Sequence, residues 1–181
     1  GRTAEDTLEE IPMSRLYSVS PDDRLQLRLH GKGFFFDNAR RKHGTLMHEV
    51  LSRIRTPKDI PASVERYRLA GVINREEAAE LISRLEELLQ AEEVKAWYDG
   101  SARVLNEVDI LFGKGLSKRP DRVIIKGGKV IVVDYKFGER QDKRHPNQVR
   151  NYLQLIRKMG FERVDGYLWY VELGKIEAVN K

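Results

Sequence analysis

The spacing of apolar residues divides the chain into a helical first half and a strand-rich second half. Apolar positions recur every three or four residues over 44–55 and again after Asn74, which is typical of helices with one buried face. After Gly100 the pattern changes to short runs rich in valine and isoleucine, which favour strands. A helical period returns over 145–159, and strand patterns follow it. This order predicts an α/β domain with a small mixed β-sheet flanked by α-helices.

Capping and helix-breaking residues set the ends of the predicted elements. Prolines end the first helix, and a shorter helix is predicted over 62–70. Asn74 followed by Glu77 is typical of a capping box, and the amphipathic helix that it opens is predicted to reach about Trp97. The predicted strands of the second half are 103–112, 121–125, 129–135 and 164–172.

The amino-terminal segment is predicted to lie outside the folded unit. Residues 1–39 form a tether or arm in this interpretation, and residues 40–181 form one domain. Alternation over 24–29 predicts a strand or an extended stretch, which the phenylalanines at 34–36 would anchor on the core. Because the first residue is glycine and not methionine, we expect the chain to be a piece of a longer protein.

The composition excludes several classes of site. The 181 residues include no cysteine, which rules out disulfides, thiolate zinc sites, cysteine nucleophiles and cysteine-bound iron–sulfur clusters. This usage is typical of a reducing compartment and predicts a cytoplasmic protein. No run of eighteen apolar residues occurs, so a membrane span is not expected. The acidic start lacks the apolar stretch of a secretory signal.

Positive charge is concentrated in one part of the chain. Residues 112–158 contain 13 lysines and arginines and 4 acids, a net charge of +9, within a chain whose net charge is +5. A basic segment of this size indicates a basic surface and a polyanionic partner such as DNA. The alternative is a solvated, lysine-rich surface that binds nothing.

A hairpin carries the candidate chemistry. Gly127-Gly128 lies between two runs of valine and isoleucine, which is typical of a two-residue turn whose positions both need positive φ. Facing residues then have numbers that sum to 255, so Asp121 faces Asp134 on one side of the sheet. Lys136 comes two residues after Asp134 and points to that same side.

This arrangement predicts metal-assisted hydrolysis of a phosphodiester. Two neighbouring carboxylates repel each other unless one is protonated or a cation lies between them. Carboxylate oxygens suit Mg²⁺ or Mn²⁺, and an amine beside the metal can position or deprotonate a water molecule, or stabilise charge on a phosphate. The alternative is two solvated acids at the open end of a hairpin with no function.

Three motifs follow the order of a known nuclease family. They are Gly44-x-x-x-His48, Pro120-Asp121 with Asp134-Tyr135-Lys136, and Gln148-x-x-x-Tyr152. Together they resemble the PD-(D/E)XK nuclease superfamily over about residues 40–175, and the first and last are similar to its RecB-type branch. The resemblance implies a restriction-endonuclease-like fold. Without cysteine, the chain resembles the cluster-free members, such as the nuclease domain that ends helicase–nuclease subunits.

The resemblance also implies roles for individual residues. The implied ligands of a Mg²⁺ ion, for which Mn²⁺ is the alternative, are His48, Asp121, Asp134, the backbone carbonyl of Tyr135 and an acid of the preceding strand, Glu107 or Asp109, of which we prefer Glu107. Lys136 would orient the attacking water and stabilise the transition state. The alternative to a ligand role for His48 is a structural histidine at the margin of the core. Gly44, one turn earlier, is expected to leave room for a metal or a phosphate.

Residues of the last predicted helix complete the set. Gln148 and Tyr152 share a face that is predicted to pack on the sheet with Leu155 and Met159. They either shape the active site and the DNA path or are structural. The residues of the opposite face that suit phosphate contacts are Arg150, Arg157 and Lys158. On the later strand, Tyr167 and Trp169 are predicted to pack in the core and not to stack on bases.

The leading hypothesis is a Mg²⁺-dependent deoxyribonuclease domain. The resemblance implies an exonuclease module of a helicase–nuclease in DNA repair or recombination, with a helicase fused or associated upstream of Gly1. One alternative is a catalytically inactive DNA-binding module with the same fold, and another is a structural or adaptor domain. No G-x-x-x-x-G-K-[S/T] loop occurs, so this chain is not expected to hydrolyse ATP by itself.

Overall fold

A computed structural model of the chain describes residues 34–112, 116–138, 142 and 144–179, with side chains from Lys42 onward except for 111–117. The helices are α1 (Phe34–Arg53), α2 (Ile60–Leu69), α3 (Arg75–Gln90), α4 (Glu92–Lys95) and α5 (His145–Lys158). The strands are β1 (Arg103–Asn106), β2 (Ile110–Phe112), β3 (Leu116–Lys118), β4 (Arg122–Lys126), β5 (Lys129–Lys136), β6 (Arg163–Tyr170) and β7 (Lys175–Ala178). The strand or arm predicted over 24–29 lies outside the described residues.

The main sheet confirms the predicted fold class. Its five strands have the order β1-β4-β5-β6-β7, and only the β5–β6 pair is parallel. Helix α5 lies in the crossover connection between these two strands, which a parallel pair needs. The strands β2 and β3 form a separate antiparallel pair. A mixed sheet flanked by helices is the restriction-endonuclease-like arrangement that was expected.

Two hydrophobic cores lie on opposite faces of the sheet. The first core joins α1 to α4 with side chains of one face, including Ile124, Val133 and Trp169. The second core joins α5 with the other face, including Val132 and Leu168. Alternate residues of one strand therefore face different cores, as the pleat requires. The buried position of Trp169 confirms core packing for this residue.

The β4–β5 hairpin has the predicted register. Arg122 pairs with Val133, and Ile125 pairs with Val130. Gly127 and Gly128 have φ values of 55° and 72°, so both turn positions need the left-handed conformation that glycine adopts without strain. The ladder ends at Arg122, one pair before Asp121 and Asp134 would face each other.

Helix boundaries differ from the predictions in two places. Helix α1 begins at Phe34, ten residues before the predicted start, so the backbone of 34–36 is helical and not part of an extended arm. Helix α3 ends at Gln90 and not near Trp97, because Ala91 takes an extended ψ of 135°. The break turns the chain, and the side chain of Trp97 is buried in the first core. No helix in the described part of the chain is long and apolar enough to cross a membrane.

The prediction of a single strand over 103–112 is wrong, because the chain leaves the strand conformation at Glu107. The residue has a φ of 51°, which breaks the two-residue alternation of a strand. Strand β1 ends at Asn106, and β2 begins at Ile110 in the separate sheet. Glu107 therefore lies in a bend after β1 and shares no strand face with Asp109.

Arg122 is buried at the centre of the fold. Its guanidinium group donates hydrogen bonds to the carbonyl oxygens of Ile54 (2.8 Å), Arg55 (3.0 Å) and Trp97 (2.7 Å). It also lies 3.7 Å from the centre of the Tyr98 ring. These contacts join the end of α1 and the segment after α4 to β4. One charge of the predicted basic surface is therefore inside the protein.

Candidate active site

An open cleft of about 940 Å³ lies where α1, the bend after β1 and the start of β4 meet. Helix α1 contributes His48 and Glu49, and the bend contributes Glu107. Arg119 lines the cleft just before β4, and Phe137 lines it just after β5. The cleft thus brings together residues that are far apart in the sequence, at the end of the hairpin opposite its turn.

His48 lies between two carboxylates. Its Nδ1 atom is 2.9 Å from Oε1 of Glu107, and its Nε2 atom is 2.8 Å from Oδ1 of Asp121. Each of the three residues offers one ligand atom, and these atoms lie within 4.8 Å of one another. The edges of Tyr135 and Phe137 flank the imidazole ring. One nitrogen and two carboxylate ligands form a donor set that suits a divalent cation. We call these three residues the cation site.

The carboxylates around His48 favour its protonated form. The hydrogen bond to Asp121 raises the pKa of His48 most, and the charges of Asp121, Glu107 and Asp134 add to this, while burial opposes it. Burial is the main cause that raises the pKa of Glu107. Because a metal ligand must be a neutral imidazole, a cation bound here would replace the proton of His48. The electrostatics of the site therefore fit the metal that the sequence analysis expects.

The backbone of β5 holds the carboxylate of Asp121. Its Oδ2 atom accepts a hydrogen bond of 2.6 Å from the N–H of Tyr135. Asp121 precedes the first residue of β4, and its own carbonyl accepts a hydrogen bond from the N–H of Glu107 at 3.1 Å. Its side chain thus takes the place of a ladder partner for β5. This leaves Oδ1 directed at His48.

Asp134 lies apart from the cation site and pairs with Lys136. Its side chain is 1% exposed, and its Oδ2 atom is 2.6 Å from Nζ of Lys136. Burial raises the pKa of Asp134 to about 6, with a further contribution from the charge of Asp121, while Lys136 opposes the shift. The expected repulsion between Asp121 and Asp134 is therefore present. The structure divides the predicted ligands, with Asp134 outside the group that His48 joins.

A chain of hydrogen bonds leads from Lys136 into α5. Nζ of Lys136 donates to Oε1 of Gln148 at 3.0 Å, and Nε2 of Gln148 donates to the hydroxyl of Tyr152 at 2.9 Å. The hydroxyl of Tyr152 then donates to the backbone carbonyl of Arg119 at 3.2 Å. Burial raises the pKa of Tyr152 to about 12, so this hydroxyl keeps its proton at neutral pH. Gln148 and Tyr152 thus contact the predicted catalytic lysine and the wall of the cleft.

The family model of the PD-(D/E)XK nuclease superfamily matches residues 24–181. This range covers the cation site, the hairpin and the hydrogen bonds of α5. The chain belongs to the PD-(D/E)XK nuclease superfamily. A comparison with curated proteins gave no match. Members of this superfamily cleave phosphodiester bonds and typically use divalent metals, and the cation site of this nuclease domain offers ligands for one.

Not every predicted contact of α5 is found in the nuclease domain. The face that packs on the sheet carries Val149, Tyr152, Leu153 and Ile156. Gln148 is exposed at the edge of this face, and Met159 is 62% exposed beyond the end of the helix. The prediction that Gln148 and Met159 lie on the buried face is therefore wrong. The true stripe is centred one position later and has the spacing of a helix with one buried side.

The three predicted DNA-binding residues lie along α5. Arg150 is exposed and donates to Oδ1 of Asn147 at 2.7 Å. Arg157 is half-buried, and its guanidinium group donates to the carbonyl of Val164 at 3.1 Å. Lys158 is exposed at the last residue of the helix, about 12 Å along the axis from Arg150. Arg157 therefore also joins α5 to the start of β6.

The structure explains two of the candidate residues differently from the sequence. A Cβ atom at Gly44 would lie 3.2 Å from Cβ of Phe137, so this glycine admits Phe137 and does not simply leave room for a ligand. Asp109, the alternative to Glu107, forms an exposed ion pair with Arg119 at 3.1 Å. The structure thus brings Glu107, and not Asp109, to His48.

Two residues of the site were missed in the sequence. Arg119 lines the cleft, and Arg122 holds β4 against α1. Arg119 lies two residues before Asp121 and Arg122 directly after it, and in the sequence each resembles one more charge of the basic segment. A signal was present for Arg122 only, since it begins a valine- and isoleucine-rich strand whose alternate residues were expected to be buried.

Proposed function

We propose that this nuclease domain hydrolyses phosphodiester bonds of DNA with Mg²⁺, for which Mn²⁺ can substitute. The observation that carries the proposal is the position of two chemical groups at one end of the hairpin. His48, Glu107 and Asp121 converge there as ligands. Lys136 of β5 pairs with Asp134, which is close enough to His48 and Asp121 to interact with their charges. A ligand set and a half-buried amine close to it are what metal-assisted hydrolysis requires.

The residues of the site have distinct roles in this proposal. His48, Glu107 and Asp121 hold the cation, with Asp134 and the carbonyl of Tyr135 as further ligands. When bound, the cation lowers the pKa of a water molecule and polarises the phosphate.

Lys136 orients the attacking water and stabilises the charge that develops on the phosphate. The water oxygen bonds to phosphorus, the ester bond to the leaving sugar oxygen breaks, and a proton passes to that oxygen. Gln148 accepts a hydrogen bond from Lys136 and is held by Tyr152, so both position the lysine.

DNA binding in this proposal relies on phosphate contacts. Arg150 and Lys158 offer exposed charges along α5, and Arg157 offers the part of its guanidinium group that Val164 leaves available. Contacts of this kind do not read the base sequence. Binding should therefore weaken with salt, with a log–log slope of about −0.9 for each phosphate contacted on duplex DNA.

The motifs also suggest a biological setting. The upstream histidine helix and the downstream Gln148–Tyr152 pair support a RecB-type exonuclease module of a helicase–nuclease in DNA repair or recombination. A helicase would then be fused or associated upstream of Gly1. Residues 1–39 would form the tether to it and 40–181 the nuclease domain, although α1 already begins at Phe34. A chain without cysteine suits such a role in the cytoplasm and leaves no ligand for an iron–sulfur cluster of the usual kind.

Cleavage assays on defined DNA test the proposal. Linear and circular DNA, single- and double-stranded, would be incubated with Mg²⁺, with Mn²⁺ or with EDTA. We expect metal-dependent cutting that EDTA abolishes and that Asp134→Asn, purified in the same way, lacks. Cutting of linear but not circular DNA supports the exonuclease. DNA binding without cutting under any metal would replace this proposal with the inactive DNA-binding module.

A further inference from the structure

The described lining of the cleft contains more acids than fixed positive charges. Three glutamates line it, namely Glu49, Glu107 and Glu172. Among the described residues that line the cleft, Arg119 is the only lysine or arginine. Carboxylates repel a polyanion, so DNA needs fixed positive charge as well as the bound cation in order to enter.

Arg119 is built into the site at its backbone and exposed at its side chain. Its carbonyl accepts the hydrogen bond from Tyr152, and the buried Pro120 separates it from Asp121 of the cation site. The side chain is 54% exposed. The guanidinium group is therefore attached to a fixed backbone position, two residues before Asp121 of the cation site, and extends into the cleft.

The partner of Arg119 is itself a group that resembles phosphate. Nε and Nη2 of Arg119 donate to the two oxygens of Asp109 at 3.2 Å and 3.1 Å. This two-pronged geometry fits a carboxylate and a phosphate equally well. The pair is exposed on both sides, so water screens it and a phosphate can take the place of the carboxylate.

We propose that Arg119 is the substrate-binding arginine of the cleft, and that it exchanges Asp109 for a backbone phosphate of the DNA beside the cation site. Asp109 holds the guanidinium group in place while the cleft is empty and competes with the substrate for it. This assignment rests on the proposed nuclease activity and adds a residue to it. It also gives Asp109 a role that differs from metal binding.

Steady-state cleavage of a short duplex with Mg²⁺ tests the assignment. For Arg119→Ala we expect a KM about tenfold higher, kcat within about twofold, and a salt slope lower by about one unit, because one phosphate contact is lost. For Asp109→Asn we expect a lower KM, since the competitor is removed. In the Arg119→Ala background, Asp109→Asn should change nothing.

A matched variant controls for the loss of a surface charge. Arg84 on α3 forms an ion pair of 3.1 Å with Glu87 and is 50% exposed, so Arg84→Ala removes a similar group outside the cleft. We expect Arg84→Ala to keep the KM of the unmodified protein. Arg119→Lys keeps the charge but loses the two-pronged geometry, and its KM should lie between those of Arg119→Ala and the unmodified protein. Melting temperatures show that each variant is folded.

The outcomes separate this assignment from the proposed function. If the unmodified protein cuts DNA and Arg119→Ala has the KM of Arg84→Ala, the role of Arg119 is wrong and the nuclease proposal stands. A fall in kcat at unchanged KM also overturns it, because the residue would then act on the transition state. If the unmodified protein cuts no DNA with Mg²⁺ or Mn²⁺, both proposals fail.

Discussion

The two faces of the central sheet bring different chemistry to one end of the β4–β5 hairpin. On the face covered by α1, His48 reaches the carboxylates of Glu107 and Asp121, and the ring of Tyr135 packs against it. On the face covered by α5, Lys136 lies beside Asp134 and donates to Gln148. One side therefore offers ligands for a cation, and the other holds an amine.

Separate cores support these two halves. The first core fixes α1 and hence His48, and the second fixes α5 and hence Gln148. Strand β5 contributes to both halves of the site, because Tyr135 points to the first core while Asp134 and Lys136 point to the other face. Metal binding and lysine positioning should therefore be separable by mutation, except at Asp121, which contacts both His48 and the backbone of β5.

The largest loss of activity is expected for a variant of Asp121. Its carboxylate belongs to the cation site and accepts a hydrogen bond from the backbone of β5. Asp121→Asn should lower kcat by at least about 1,000-fold, since a metal supplies several kcal/mol of transition-state stabilisation and each 1.4 kcal/mol is about tenfold. Binding of Mn²⁺ should raise the melting temperature of the unmodified protein, and Asp121→Asn should abolish this rise. Single-turnover cleavage and thermal melts measure both.

Asp165→Asn is the control for this variant. Asp165 is an exposed carboxylate of β6 that pairs with Lys129 at 2.6 Å, away from the cleft. It should keep cleavage and the metal-induced rise. If Asp121→Asn retains more than about a tenth of the activity, the cation site has no catalytic function.

Lys136→Met is expected to break the amine half alone. Loss of an amine that orients water and stabilises the phosphate should cost about 100- to 1,000-fold in kcat. The melting-temperature rise with Mn²⁺ should persist, because His48, Glu107 and Asp121 are untouched. Lys126→Met, which alters an exposed lysine at the other end of the hairpin, serves as the control. A Lys136→Met protein that no longer responds to metal would show that the two halves are one unit.

A comparison of His48→Ala with Gln148→Ala sharpens the division. For His48→Ala we expect a metal requirement about 10- to 100-fold higher, with a smaller loss of kcat at saturating metal. For Gln148→Ala we expect the reverse, with kcat about 10- to 100-fold lower at an unchanged metal requirement, because the amide only orients Lys136. Titrations of activity against metal concentration separate them. Identical metal curves for both variants would contradict the assignment.

The smallest effect on catalysis is expected where α5 meets the sheet. A Cβ atom at Gly166 would lie 2.6 Å from Cγ1 of Val149, so Gly166→Ala should push α5 outward and destabilise the fold by about 1–3 kcal/mol. We expect kcat to fall only a few-fold, through the Lys136–Gln148 contact, with metal dependence unchanged. Chemical denaturation measures the stability. Gln154→Ala, on the exposed side of α5, should have neither effect.

The hairpin was predictable because its determinants are local. Two glycines fix the turn, the turn fixes the register, and alternation then assigns each residue of β5 to a face. The resemblance of two short helix motifs to the nuclease superfamily likewise placed His48 and Gln148 near the site. These features need no knowledge of distant parts of the chain.

The remaining features depend on tertiary contacts that no local pattern records. Glu107 reaches His48 only because its backbone takes a positive φ, which is uncommon for a residue with a side chain. Gly166 resembles any glycine in a strand until α5 lies on it. The buried face of α5 lies one position later than the spacing predicts, because Gln148 contacts Lys136 and does not pack on the sheet.

Arg122 couples the formation of the cleft to contacts between distant parts of the chain. Its hydrogen-bond partners Ile54, Arg55 and Trp97 are 68, 67 and 25 positions away in the chain, so these contacts close long loops. While α1 is undocked, this guanidinium group lacks the carbonyls of Ile54 and Arg55 and stays in contact with water. Docking of α1 exchanges water for these two acceptors, so we expect the burial of Arg122 and the closing of the cleft to occur together. A nascent chain would therefore carry every sequence motif of the nuclease before the cleft that unites them has formed.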